Sequence, residues 1–218
     1  IIGGFLLPSS GIINLNNKYK IDSNTNELFK YRKNNISFIF QEAIFIPFLN
    51  ATENIKFLTN KKKKKTEKNQ VSYVLEKTNL LSRKLAYPYQ LSGGEKQRLS
   101  ISMGLFLNKK IWLCDEPTGT LDSENKSNIM NLLKQIVIED PSKIMIIVTH
   151  DPLFYAIANE ILVLEDGLIK SAIKEEEIEK FKQKSLIYQA TDEKLKETIK
   201  KENILKRLEE IKKELTKD

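Results

Sequence analysis

Two adjacent carboxylates, Asp115 and Glu116, close the apolar run I-W-L-C at residues 111–114. Neighbouring like charges repel, so such a pair is a poor choice for stability alone. At the carboxyl end of a buried strand they would stand where open α/β sheets bind their ligands. There Asp115 could hold Mg²⁺, largely through water, and Glu116 could polarise an attacking water as a general base. By itself the pair also reads as a solvated turn. A second stretch, L-S-G-G-E-K-Q-R at 91–98, places Ser92, Gly93, Gly94 and Glu95 ahead of a helical run. Ser92 suits a helix N-cap. The two glycines let backbone N–H groups approach an anion, and the helix start adds partial positive charge. A lone S-G-G is most often a turn, but this one has Glu95 lying 20 residues ahead of Asp115. The third feature is His150, the only histidine, which follows an apolar run and precedes Asp151.

These residues need elements to hold them. Residues 1–7 read as the end of a helix, and 8–20 as a turn and a short strand. N-N-I-S-F-I-F-Q (34–41) reads as a buried strand, with K-K-I-W-L-C-D-E (109–116) and K-I-M-I-I-V-T-H-D (143–151) as two more. Residues 49–105 carry helical spacing, with Val71, Val74, Leu75 and Leu81 on one face. Ser123 reads as the N-cap of a helix over 123–137, and Pro152 as the first position of another. A fourth strand and a turn at Asp166–Gly167 fill 160–170. Apolar strands alternating with helices predict a parallel α/β sheet with helices on both faces. Beyond Lys170 the composition turns to Lys and Glu, with Ile204, Leu208, Ile211 and Leu215 at a/d spacing. That predicts a charged helical tail, though two heptads are too few for a coiled coil.

Composition narrows the partners. The most apolar stretch, 36–49, is interrupted by Gln41, Glu42 and Pro47, and none reaches the ~18 apolar residues that read as a membrane-spanning helix. A membrane role therefore calls for a partner, and no secretory signal is expected. The single cysteine, Cys114, cannot form an intramolecular disulfide and suits a reducing cytoplasm. Cys114 and Trp112 both read as core. Of the net charge of +7, Lys61–Lys65 supply five positive charges. No aromatic residue interleaves with them, so the run reads as a solvated loop and no nucleic-acid partner is expected.

Taken together, the motifs resemble those of ABC ATPases, P-loop NTPases of RecA-like fold. L-S-G-G-E-K-Q-R looks like the signature, I-W-L-C-D-E like the Walker B strand and T-G-T-L-D like the D-loop. F-I-F-Q looks like the Q-loop and V-T-H-D like the H-loop. They occur in the family's order over roughly residues 1–170. The resemblance implies a head-to-tail dimer, with itself or another cassette, sandwiching ATP and Mg²⁺. Ser92, Gly94 and nearby backbone, with Gly93 and Glu95 in the same motif, would serve nucleotide held by the opposite subunit. Gln41 would sense Mg²⁺ and the attacking water. His150 would contact the γ-phosphate and orient Glu116, and Asp122 would lie at the dimer interface. The partner implied is an integral-membrane permease, which would hold the chain at the cytoplasmic face of the membrane. A-I-F-I-P-F-L (43–49) sits where a permease helix would dock, or packs locally. I-I-G-G-F and D-E-P-T-G-T-L-D look most like lipoprotein-release and macrolide-export cassettes.

Two departures stand out. Gly104 occupies a helix position where a better helix former is expected, and reads as tolerable drift. More seriously, the 218 residues contain no G-x-x-x-x-G-K-[ST], the loop that cradles phosphates. By resemblance I-I-G-G-F directly follows that loop. The expectation is a cassette truncated at its N-terminus, unable to bind ATP alone, with two strands flanking the missing P-loop strand left short of a partner. The expected organisation is 1–48 as the first part of the ATPase core with the remnant of an antiparallel β subdomain, and 49–105 as a helical signature subdomain. Residues 106–170 form the second part of the core and 171–218 the tail. Two alternatives stay open: a non-catalytic partner subunit, and an ABC ATPase outside transport.

Overall fold

The computed structural model describes residues 1–15, 19–22, 28–58, 64–174, 177–178 and 180. It divides into two compact units, Ile1–Asp151 and Pro152–Asp218. The first opens with an antiparallel hairpin, β1 (Ile13–Leu15) and β2 (Tyr19–Ile21), followed by helix α1 (Leu28–Asn35). Three strands, β3 (Ile36–Ile39), β4 (Ile111–Asp115) and β5 (Ile144–Val148), form a parallel sheet in that order. Between β3 and β4 lie α2 (Ala51–Phe57), α3 (Lys64–Lys77) and α4 (Gly93–Leu107); between β4 and β5 lies α5 (Ser123–Glu139). The sheet register pairs Ile39 with Cys114 and Asp115 with Val148. Parallel strands all present their carboxyl ends to one edge. The loops after β3, β4 and β5 therefore emerge together, and these carry Gln41, Glu116 and His150.

The helical expectation for 49–105 holds, with a core of its own. Val71, Val74 and Leu75 of α3 are buried against Ile55 of α2 and Leu99 of α4. Each such side chain contributes roughly 1.5–3 kcal/mol when fully buried. Leu81, expected in this core, is 40% exposed, and Leu80 takes its place at 0%. The cause is Asn79 at φ 56°, a left-handed residue that ends α3. The Leu80 N–H then folds back onto Leu75 O at 2.7 Å, a helix-closing motif that turns Leu80 inward.

Four other expectations change. Residues 1–7 are a turn, not a helix end. Gly4 is left-handed at φ +68°, and its N–H donates to Ile1 O at 2.7 Å. Tyr31 donates its hydroxyl to Ile2 O, and the Phe5 ring packs 4.9 Å from that of Phe38. The N-cap of α5 is Asp122, with Ser123 the first helical residue. Pro152 opens a 3₁₀ turn, Pro152–Ala156, rather than an α-helix. And β5 is not buried: Ile144, Ile146 and Val148 on one face are 55%, 38% and 62% exposed. Helices therefore do not cover both faces of the sheet at this strand, whose only strand neighbour among the described residues is β4.

The second unit holds the expected fourth strand, β6 (Glu160–Glu165), in an antiparallel hairpin with β7 (Leu168–Lys174). Asp166 and Gly167 both have positive φ, 50° and 76°, as a tight hairpin turn requires. β7 runs to Lys174, past the compositional boundary at Lys170. The helical pattern at Ile204–Leu215 and Lys61–Lys63 of the lysine run lie outside the described residues.

Candidate functional site

The acid pair ends β4 as anticipated. Trp112 and Cys114 are buried at 0% and 2%, and Asp115 emerges exposed. Burial pushes the Cys114 thiol up to about 12, so it is inert packing. Glu116 then adopts φ 43°, a left-handed backbone rare outside glycine. Its N–H donates to Val148 O at 2.8 Å. This continues the β4–β5 ladder one step past the strand and turns the carboxylate toward the loop after β5. Strain of this kind concentrates at functional positions.

That loop wraps the Glu116 carboxylate. The His150 N–H donates to Oε1 at 3.1 Å, and His150 Nδ1 lies 2.8 Å from the same oxygen. The Thr149 hydroxyl donates to Oε2 at 3.2 Å. A carboxylate has about four acceptor positions, so one on Oε2 is left to take a proton. The imidazole is 80% exposed, and its Nε2 has no protein partner among the described residues. Gln41 lies against the turn after β4, at Gly119. A Cβ built on Gly119 would lie 2.8 Å from Gln41 Nε2 and 3.5 Å from Glu116 Cβ. Gly119 therefore leaves the space that the Gln41 amide occupies on the Glu116 side of the loop. Asp115 stands exposed at the same edge. One exposed carboxylate fits an ion bound by one or two carboxylates, water and phosphate oxygens; among the described residues no group of three or more His, Cys, Asp or Glu could hold a metal on its own.

The signature segment forms a separate surface. Ser92 caps α4: its hydroxyl oxygen accepts from the Glu95 N–H at 3.2 Å, and Glu95 accepts from the Ser92 N–H at 2.8 Å. Glu95 also pairs with Arg83 Nε at 3.1 Å. With the cap satisfied, the N–H groups of Gly93 and Gly94 have no acceptor among the described residues. A hydroxyl proton on Ser92 is also left to donate. This arrangement fits an anion. Gly94 has a second reason to be glycine, since a Cβ there would come within 2.4 Å of Asn125 Oδ1. Asn125 in turn binds both oxygens of Asp122, through its backbone N–H (2.9 Å) and its Nδ2 (2.8 Å). These bonds, the backbone one foremost, hold the Asp122 carboxyl below its ordinary value. Arg98 Nη1 reaches Asn125 Oδ1 at 3.3 Å, so Asn125 ties the start of α4 to the start of α5.

The structure thus brings Gln41, Asp115, Glu116 and His150 to one sheet edge, gathers Ser92, Gly93, Gly94 and Glu95 at the start of α4, and sets Gly94 and Arg98 against Asn125, which binds Asp122. Sequence reasoning missed Asn125, Thr149, Asp151 and Gln97. Gln97 is 3% exposed and donates to Phe40 O at 3.2 Å, fixing the residue before Gln41. Its place inside the signature was the available signal. In the 43–49 loop the local-packing reading holds for one residue. Phe45 packs on the helical core, while Ile44 and Phe48 are 71% and 76% exposed.

Residues 1–119 match the family model described as ABC transporter. The chain is 35% identical to a putative ABC transporter ATP-binding protein of Mycoplasma genitalium over 78% of its own length, and spans only 55% of that relative. It is 36% identical to the ABC transporter ATP-binding protein YtrE of Bacillus subtilis, covering 79% of this chain and 75% of YtrE. Among solved structures it is similar to the ATP-binding cassette MJ0796, a dimer in a post-hydrolysis state bound to ADP and Pi. The TM-score is 0.69 at 32% identity, covering 79% of this chain and 77% of that one. With the parallel sheet, the capped signature helix and the acid–histidine edge in place, the chain belongs to the ABC transporter ATP-binding family.

Proposed function

We propose that this chain is the ATP-hydrolysing part of an ABC transporter, coupling hydrolysis to a separate membrane permease. The observation that carries the reading is the Glu116–His150 contact at 2.8 Å on the edge shared with Asp115 and Gln41. Glu116 takes a proton from the attacking water, and His150 fixes the carboxylate from one side. Asp115 would hold Mg²⁺, which supplies charge neutralisation on the phosphate oxygens when bound. Gln41, beside Glu116, orients the water. Ser92 and the free N–H groups of Gly93 and Gly94 serve nucleotide bound by a second cassette, and Asp122 lies at that interface. The exposed Ile44 and Phe48 offer an apolar contact to the permease. The D-E-P-T-G-T-L-D and I-I-G-G-F runs favour the lipoprotein-release or macrolide-export type.

A dimerisation experiment tests this. A P-loop strand, loop and helix start from a relative are joined ahead of Ile1, because the 218 residues hold no such motif. With Glu116→Gln, Mg²⁺ and ATP should then drive the chimaera to a persistent dimer in sedimentation. A monomer at saturating ATP would count against the reading. The Gly93 and Gly94 N–H groups, without an acceptor among the described residues, also suit a second reading, a subunit that only lends Ser92 and Gly94 to a complete cassette. In that case the unaltered chain stimulates a complete cassette's ATPase, and Glu116→Gln in this chain leaves the stimulation intact.

A further inference from the structure

Asp151 is an acid with 6% exposure that the hydrolytic reading does not use. A buried carboxylate is costly unless paired and hydrogen-bonded. Its Oδ2 meets Lys126 Nζ of α5 at 3.0 Å and accepts from the Thr118 hydroxyl at 3.3 Å. Thr118 is itself 1% exposed and lies two residues after Glu116. The Asp151 N–H donates to Thr149 Oγ1 at 3.0 Å, and that hydroxyl donates on to Glu116 Oε2. Three segments thus converge on one carboxylate: the turn after β4, the first turn of α5 and the loop after β5.

We propose that Asp151 is a positioning residue for the Glu116–His150 pair. It clamps the turn carrying Glu116 to the loop carrying His150, and through its backbone it orients the Thr149 hydroxyl toward Glu116. Calling the pair hydrolytic rests on the function proposed above; the clamp does not. Lys126 supplies the charge that makes the buried acid tolerable.

His150 is the chain's only histidine, so its ring signals need no assignment. In the unaltered 218-residue chain, ¹⁵N NMR of the neutral imidazole should show the Nδ1–H tautomer predominating, because Nδ1 donates to Glu116. Asp151→Asn should lose that predominance, moving the ring toward the Nε2–H form that an unconstrained imidazole favours. Lys126→Gln, at a side chain 28% exposed, should move it the same way by less and covers the case in which Asp151→Asn does not fold. A change in melting temperature with the tautomer ratio unaltered in both folded variants would overturn the proposal. The readout requires no nucleotide turnover, so an inactive chimaera would sink the hydrolytic reading and leave this one standing.

Discussion

Gly104 shows how a single residue can be misjudged from the sequence alone. In a helix interior, Gly costs roughly 1 kcal/mol relative to Ala, so Gly104→Ala looks stabilising on α4. The structure reverses the sign. A Cβ there would come within 2.7 Å of the Trp112 ring, which is fully buried and cannot swing away. Overpacking of this kind costs about 1–3 kcal/mol. Urea unfolding of Gly104→Ala should show a net loss of stability, and a gain would mean the ring has room to move. Gly94 behaves differently because its neighbour is the tip of a side chain. Gly94→Ala should displace Asn125 from Asp122 and Arg98, visible as a shifted or lost Asn125 side-chain amide resonance. Glu116 and His150 could be singled out by type and spacing. That they touch could not, because the contact depends on a left-handed Glu116 and on the pairing of β4 with β5.

Among the elements, the helices were more legible than the strands. Capping chemistry is local, so Ser92 and Glu95 announce the start of α4 within four residues. The start of α5 was misplaced by one because Asp122 and Ser123 are both good caps. Here Asp122 wins through its two bonds from Asn125. Its carboxyl is held below the ordinary value, so the folded chain releases that proton more readily than the unfolded one. The resulting stability is present above the unfolded aspartate value and is lost as pH falls through the lower folded one. The protection of the Asn125 amide, its exchange rate relative to the intrinsic rate at the same pH, should therefore fall on acidification across that window. Asp122→Ala should lower that protection at neutral pH and flatten its pH dependence. An unchanged profile in the variant would remove Asp122 as its source. Strand burial was not legible for β5, since I-M-I-I-V reads as core whatever lies beside it. Whether Ile144, Ile146 and Val148 meet other side chains is decided by neighbours outside the strand.

At the scale of the whole molecule, the sheet register is what turns three sequence-distant motifs into one edge. Gln41, Glu116 and His150 belong to loops that follow β3, β4 and β5, and parallel pairing alone brings those loops together. The order of the motifs along the chain was readable. Their convergence required the pairing. The central claim is that Glu116 activates water while His150 holds it. Its most direct test is steady-state ATP turnover by the P-loop chimaera and its Glu116→Gln form, both saturated with Mg²⁺ and ATP. Loss of a general base predicts a fall of about 10²–10⁴-fold with nucleotide binding retained; turnover at the parent rate would contradict the assignment of Glu116.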